Sequence, residues 1–121
     1  MYGERMRWIL SMILLALAVI LSGCGAPLRE THITVVATEM SFSPDKIEAH
    51  VGDQVFLTLS NKGKLAHNLI ILLPSGDREI SATDGVDAVM AFPAPKAGTY
   101  RFYCSLLGHE AMQGVLTVSE P

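Results

Sequence analysis

Tyr103-Cys104-Ser105-Leu106-Leu107-Gly108-His109-Glu110-Ala111-Met112 carries a thiol, an imidazole and a thioether within nine residues, spaced Cys-x4-His-x2-Met. The residues leading into it, Thr99–Cys104, alternate in character. Tyr100, Phe102 and Cys104 share one face and Thr99, Arg101 and Tyr103 the other, the period of a half-buried strand. Gly114–Ser119, just beyond, reads as a second strand. A single loop between two strands can therefore wrap three ligands around one ion, and Gly108 allows the tight turn before His109. A fourth donor, His67, lies 37 residues before Cys104 at the start of another apolar run. A sandwich whose loops cluster at one end brings it to the same point.

Outward from this segment the texture is short strands separated by turns. His32–Thr38, Ile47–His50, Val55–Ser60, His67–Leu73 and Ala88–Phe92 are the other expected strands. Ser43-Pro44-Asp45-Lys46, Val51-Gly52-Asp53-Gln54, Asn61-Lys62-Gly63-Lys64 and Pro74-Ser75-Gly76-Asp77 are turn signals. The polar stretch from Pro74 to Asp87 has no steady period and reads as loop. No segment after the N-terminal leader sustains a 3.6-residue pattern. Seven or so strands with regular turns indicate an all-β fold, an antiparallel Greek-key sandwich or barrel. Met40 and Met90 read as core residues, and His32 and His50 as surface strand histidines.

Two imidazoles, one thiolate and a weak axial thioether make up the trigonal site of electron-transfer copper. Thiolate and thioether suit Cu(I), and the thiolate also donates strongly to Cu(II). Zinc accepts two His and one Cys but gains little from Met. An unpaired thiol in an exported domain also needs protection from oxidation, and metal ligation supplies it.

With these residues the chain resembles the cupredoxins of the plastocyanin/azurin family. The likeness covers Thr31 to Ser119 and includes Phe42-Ser43-Pro44, Val51-Gly52-Asp53, His67-Asn68, Ala97–Cys104 and Met112–Val118. It implies one copper ion, with His67, Cys104 and His109 equatorial and Met112 axial. It also implies that the Asn68 backbone N–H donates to the Cys104 sulfur, and that the Asn68 side chain ties the ligand loops together through Ser105. Many relatives place three or four residues between the loop His and Met, where this chain has only Glu110 and Ala111. That departure bears on the axial bond length and the potential. Leu65, Ala66, Leu106, Leu107 and Ala111 flank the ligands. By the resemblance they form an apolar docking face around an exposed edge of His109; the alternative is leucines buried under the loop.

At the N-terminus, Arg5 and Arg7 precede an apolar run from Trp8 to Leu21 broken only by Ser11. Fourteen helical residues span roughly 21 Å, short of a ~30 Å hydrocarbon core, so residues 1–23 read as an export signal. Leu21-Ser22-Gly23-Cys24 resembles the bacterial lipobox, which implies lipidation of Cys24; the alternative is a secretory signal cut nearby. Residues 24–30 are then a tether and 31–121 the domain. Half of the chain's residues are apolar, but the leader is what raises that share. From Cys24 onward seven basic residues face 11 acidic ones, which argues against nucleic-acid binding. Asp77, Glu79, Asp84 and Asp87 form an acidic stretch, read as a solvated loop or a contact for a basic redox partner.

The expected function is envelope-anchored electron transfer by a type 1 copper site, by a protein that is not an enzyme. Copper delivery without a dedicated redox role is the alternative. The expected partners are a redox donor and acceptor in membrane-associated respiratory or photosynthetic complexes, with the protein itself a monomer. It would be lipid-anchored to a bacterial membrane, facing the periplasm or the cell exterior.

Overall fold

The computed structural model describes residues 2–20 and 25–121; Cys24, the expected lipidation site, lies outside the described residues. The leader forms α1 (Tyr2–Ile20). Among the described residues no helix is long and apolar enough to cross a membrane. Among the described residues nine strands follow: β1 (Glu30–Ala37), β2 (Phe42–Ser43), β3 (Lys46–His50), β4 (Gln54–Asn61), β5 (His67–Ile71), β6 (Arg78–Ala82), β7 (Asp87–Pro93), β8 (Gly98–Tyr103) and β9 (Gln113–Ser119). They form two sheets, ordered β2-β1-β4-β7 and β3-β9-β8-β5-β6.

The expected all-β sandwich is present, with two refinements. Two pairings run parallel: β1 with β4, in register from Glu30↔Gln54 to Ala37↔Asn61, and β3 with β9, from Lys46↔Val115 to His50↔Ser119. The other pairings are antiparallel. The polar stretch read as loop contains β6, which pairs with β5 from His67↔Ala82 to Ile71↔Arg78. As an edge strand it turns only Ile80 and Ala82 inward and leaves Arg78, Glu79 and Ser81 exposed, so it lacks a long apolar alternation.

The core lies between the inner faces. Val55, Leu57 and Leu59 alternate along β4 at 0% exposure and meet Leu69, Ile71, Phe102 and Leu116 of the other sheet. Phe42 and Phe102 pack as tilted rings with centroids 5.7 Å apart. Full burial of Phe102 contributes about 2–3 kcal/mol. Gly114 sits opposite Phe102 in the β8–β9 register. A Cβ there would overlap the Phe102 ring and the Asp45 carbonyl, so the close approach of these strands requires glycine. Met90 packs partly buried against the core. Met40, expected inside, is 47% exposed in the turn that Thr38 N–H closes on the Ser41 carbonyl.

Both sheets share two ends. At one end the last residue of β4, Asn61, donates to the carbonyls of Leu65 (2.7 Å) and Ala82 (3.0 Å), next to the start of β5. The end of β8 and the start of β9 lie at the same end, because β5 and β8 are antiparallel. At the other end the starts of β1 and β4 meet the ends of β3 and β9. Val51 N–H donates to the Ser119 carbonyl there (2.9 Å).

Candidate metal centre

The loop from Cys104 to Met112 is folded by its own backbone. Cys104 N–H donates to the Met112 carbonyl (3.0 Å), His109 N–H to Leu106 (3.0 Å) and Met112 N–H to His109 (2.9 Å). Gly108, at φ 86°, supplies the left-handed residue that turns the chain into His109. The backbone N–H of Glu110 itself, and then that of Gly108, hold the Glu110 carboxyl below its ordinary value, so the loop carries a negative charge at neutral pH.

His67 enters from the other side, on the first residue of β5. Its approach depends on Asn61, which is fully buried. Besides its two donations, Asn61 accepts the Gly63 N–H (2.9 Å) and so braces the turn ahead of Leu65 and His67. Turn chemistry at Asn61 was readable in the sequence; its bracing of a ligand segment was not.

His67, Cys104 and His109 converge. Their ligand atoms lie within 4.8 Å of one another, and all three residues are buried. His67 Nδ1 is 3.2 Å from His109 Nδ1, which is 3.5 Å from Cys104 Sγ. Met112, at 0% exposure, ends the loop against the Cys104 backbone. The buried Nε2 of His67 has no hydrogen-bond partner among the described residues. Burial, with His109 adding to it and Glu39 opposing, lowers the His67 pKa below the ordinary imidazole value. Its ring is therefore neutral at pH 7 with a lone pair to offer.

Two ring nitrogens and a sulfur aimed at one buried point fit a borderline or soft cation and suit neither calcium nor magnesium. Copper fits this donor set, and Met112 at the end of the loop carries a thioether, a group that zinc uses little.

Asn68 links the two ligand segments. Its Nδ2 donates to Ser105 Oγ (2.8 Å), and its Oδ1 accepts the Ser105 N–H (2.8 Å). The second Nδ2 proton goes to Glu79 Oε1 (2.8 Å) on β6. Glu79, read in the sequence only as part of an acidic stretch, thus fixes which way the Asn68 amide points. No sequence signal points to it, because β6 lacks the apolar alternation by which a strand is read.

The flanking apolar residues are on the outside. Leu65 is 49% exposed, Leu106 38% and Leu107 97%, while His109 shows only 9% of its surface. Ala66 and Ala111 are exposed as well. His32 and His50 lie away from this cluster. His32 stacks on Phe56 with centroids 4.9 Å apart, and His50 neighbours Asp53.

The model of the cupredoxin-like domain family matches residues 11–118. The chain belongs to the cupredoxin-like family. Several hundred solved chains share the fold. Dithionite-reduced auracyanin from Roseiflexus castenholzii superposes with a TM-score of 0.67 at 20% identity, covering 74% of this chain and 98% of that one. Auracyanin A, described as a "blue" copper protein of Chloroflexus aurantiacus, gives 0.66 at 23% identity with the same coverage. Auracyanin B gives 0.67 at 18% identity, covering 78% and 91%. No curated protein matches the sequence significantly. At these identities the solved structures establish the fold that the cupredoxin-like chain adopts.

Proposed function

We propose that this protein is a single-electron carrier of the cell envelope, with one copper ion held by His67, Cys104, His109 and Met112. The observation that carries the reading is the convergence of two imidazole nitrogens and a thiol within 4.8 Å in a buried site. Copper bound there supplies the Cu(I)/Cu(II) couple. The chain does the rest. Asn68 and Ser105 hold the two ligand segments at a set separation, so the donors move little on a change of oxidation state. The burial of His67, Cys104, His109 and Met112 keeps water from the donors, and the narrow exposed edge of His109 is the exit for the electron. Around it Leu65, Leu106, Leu107 and Ala111 offer an apolar face to a redox donor or acceptor.

Four protein donors leave no position for a substrate, whereas catalytic metal sites keep one open. We therefore read the chain as a carrier and not an enzyme. Export and a lipid anchor at Cys24, on the lipobox-like Leu21-Ser22-Gly23-Cys24, place it at a bacterial membrane in this reading.

The test is a titration of the full chain with one equivalent of Cu(II). An intense thiolate-to-copper absorption that is lost in Cys104→Ser supports the site; a colourless protein rejects it. The exposure of the Leu106–Leu107 loop also favours a copper-delivery role, which predicts rapid copper loss and slow electron self-exchange in the same sample.

A further inference from the structure

The tether joins the domain at the end opposite the metal site, and it is fastened there. Arg29, its last residue but one, forms an ion pair through Nε with Asp53 Oδ1 (3.2 Å), and its guanidinium also contacts His50 Nδ1. The Arg29 carbonyl accepts the Gln54 N–H (2.8 Å). Asp53 is 2% exposed and also accepts from the Thr31 hydroxyl (2.7 Å) and the His50 N–H (2.9 Å). This carboxylate gathers the ends of β1, β3 and β4 around the incoming chain. Only residues 25–28 remain between Cys24 and the clamp, and they are exposed and outside any strand.

Lengths decide what this permits. Five residue steps from Cys24 to Arg29 reach at most about 18 Å. The eight residues of β4 alone span about 26 Å between the two ends of the sandwich. A chain pinned at the far end cannot lead back around the domain to bring the metal end to the anchor.

We infer that the anchored domain stands with its metal end away from the bilayer. Its redox partner is then a protein whose electron-exchanging surface lies in the aqueous phase, at least a domain's height above the lipid. A quinol dissolved in the membrane, or a centre buried in it, is out of reach. This inference rests on the reading of Cys24 as the lipid anchor and of the Leu107 end as the exchange surface.

Tryptophan quenching in vesicles tests it without copper. The lipidated protein, cut before Cys24, lacks the chain's single tryptophan, Trp8, so Leu107→Trp and Leu28→Trp each place one reporter, at opposite ends. Both positions are exposed, at 97% and 71%. The lipidated proteins are reconstituted with lipids carrying nitroxide head groups. Strong quenching at position 28 and none at 107 is the expected result. Lengthening the tether by about 20 Gly/Ser residues should raise quenching at 107, since a flexible linker of that size spans roughly 25 Å. A protein that does not float with the vesicles overturns the anchor, and the orientation with it. A floating protein quenched equally at 28 and 107 overturns the orientation alone.

Discussion

Asn68 and Ser105 exchange two hydrogen bonds of 2.8 Å, one in each direction, across the gap between the start of β5 and the loop after β8. Each residue adjoins a donor: Asn68 follows His67 and Ser105 follows Cys104. The pair therefore sets the spacing of two candidate ligands from outside the site.

Removing Asn68 by Asn68→Ala breaks three bonds and leaves the Ser105 N–H unpaired, which should destabilise the domain by about 2–3 kcal/mol. Ser105→Ala and Glu79→Ala each remove one bond at a more exposed group, at about 1 kcal/mol or less. Urea midpoints rank the three. A Glu79→Ala loss as large as that of Asn68→Ala would contradict the arrangement.

Met112→Leu should keep the visible absorption, because both imidazoles and the thiolate remain. The loss of the weak thioether donor to copper should raise the reduction potential. Voltammetry of wild type and variant at the same pH settles it, and an unchanged potential counts against axial ligation.

Copper should stabilise the fold by mass action. With free metal at 100 times Kd the gain is about 2.7 kcal/mol. For a domain of this size that is a rise in Tm of about 10–20 °C. Calorimetry with and without metal measures it, and His67→Ala should abolish most of the difference.

Gly114→Ala places a methyl group against the Phe102 ring and the Asp45 carbonyl. Overpacking of this kind costs about 1–3 kcal/mol. A variant with wild-type stability would show that β8 and β9 are less closely packed than described.

Acid should loosen the tether end first. The Thr31 hydroxyl and the His50 N–H, then Arg29 and His50 by charge, hold the Asp53 carboxyl below its ordinary value. In the unfolded chain Asp53 takes a proton near pH 3.9. In the folded chain it does so only at lower pH. Its contribution is thus fully present above the unfolded value and lost as pH falls through the folded one. The stability gap between wild type and Asp53→Asn should be wide at pH 7 and shrink below about pH 4. A gap independent of pH would assign Asp53 no electrostatic role.

Much of this protein is readable along the chain, because the informative residues are neighbours in it. Cys104, His109 and Met112 fall within one loop, so their spacing alone announces a metal site. The inward faces of β4 and β8 are written as alternating apolar residues, since each strand buries one face. Where a strand buries little, that signal fades. β6 lies at a sheet edge with only Ile80 and Ala82 turned inward, so its sequence carries no strand period. Met40 reads as core yet lies in a turn, because hydrophobicity alone does not distinguish the two.

The relations that determine how the site works join residues far apart in sequence, and tertiary structure alone supplies them. Asn68 meets Ser105 and Glu79 only because β5 is flanked by β6 and lies next to the end of β8. The parallel pairing of β1 with β4 carries Arg29 to Asp53, and so puts the tether at the end away from His109. Spacing within the chain picks out the candidate donor atoms. Strand order and direction decided what holds them apart and which way they face, because those depend on pairings formed when the whole sandwich closes.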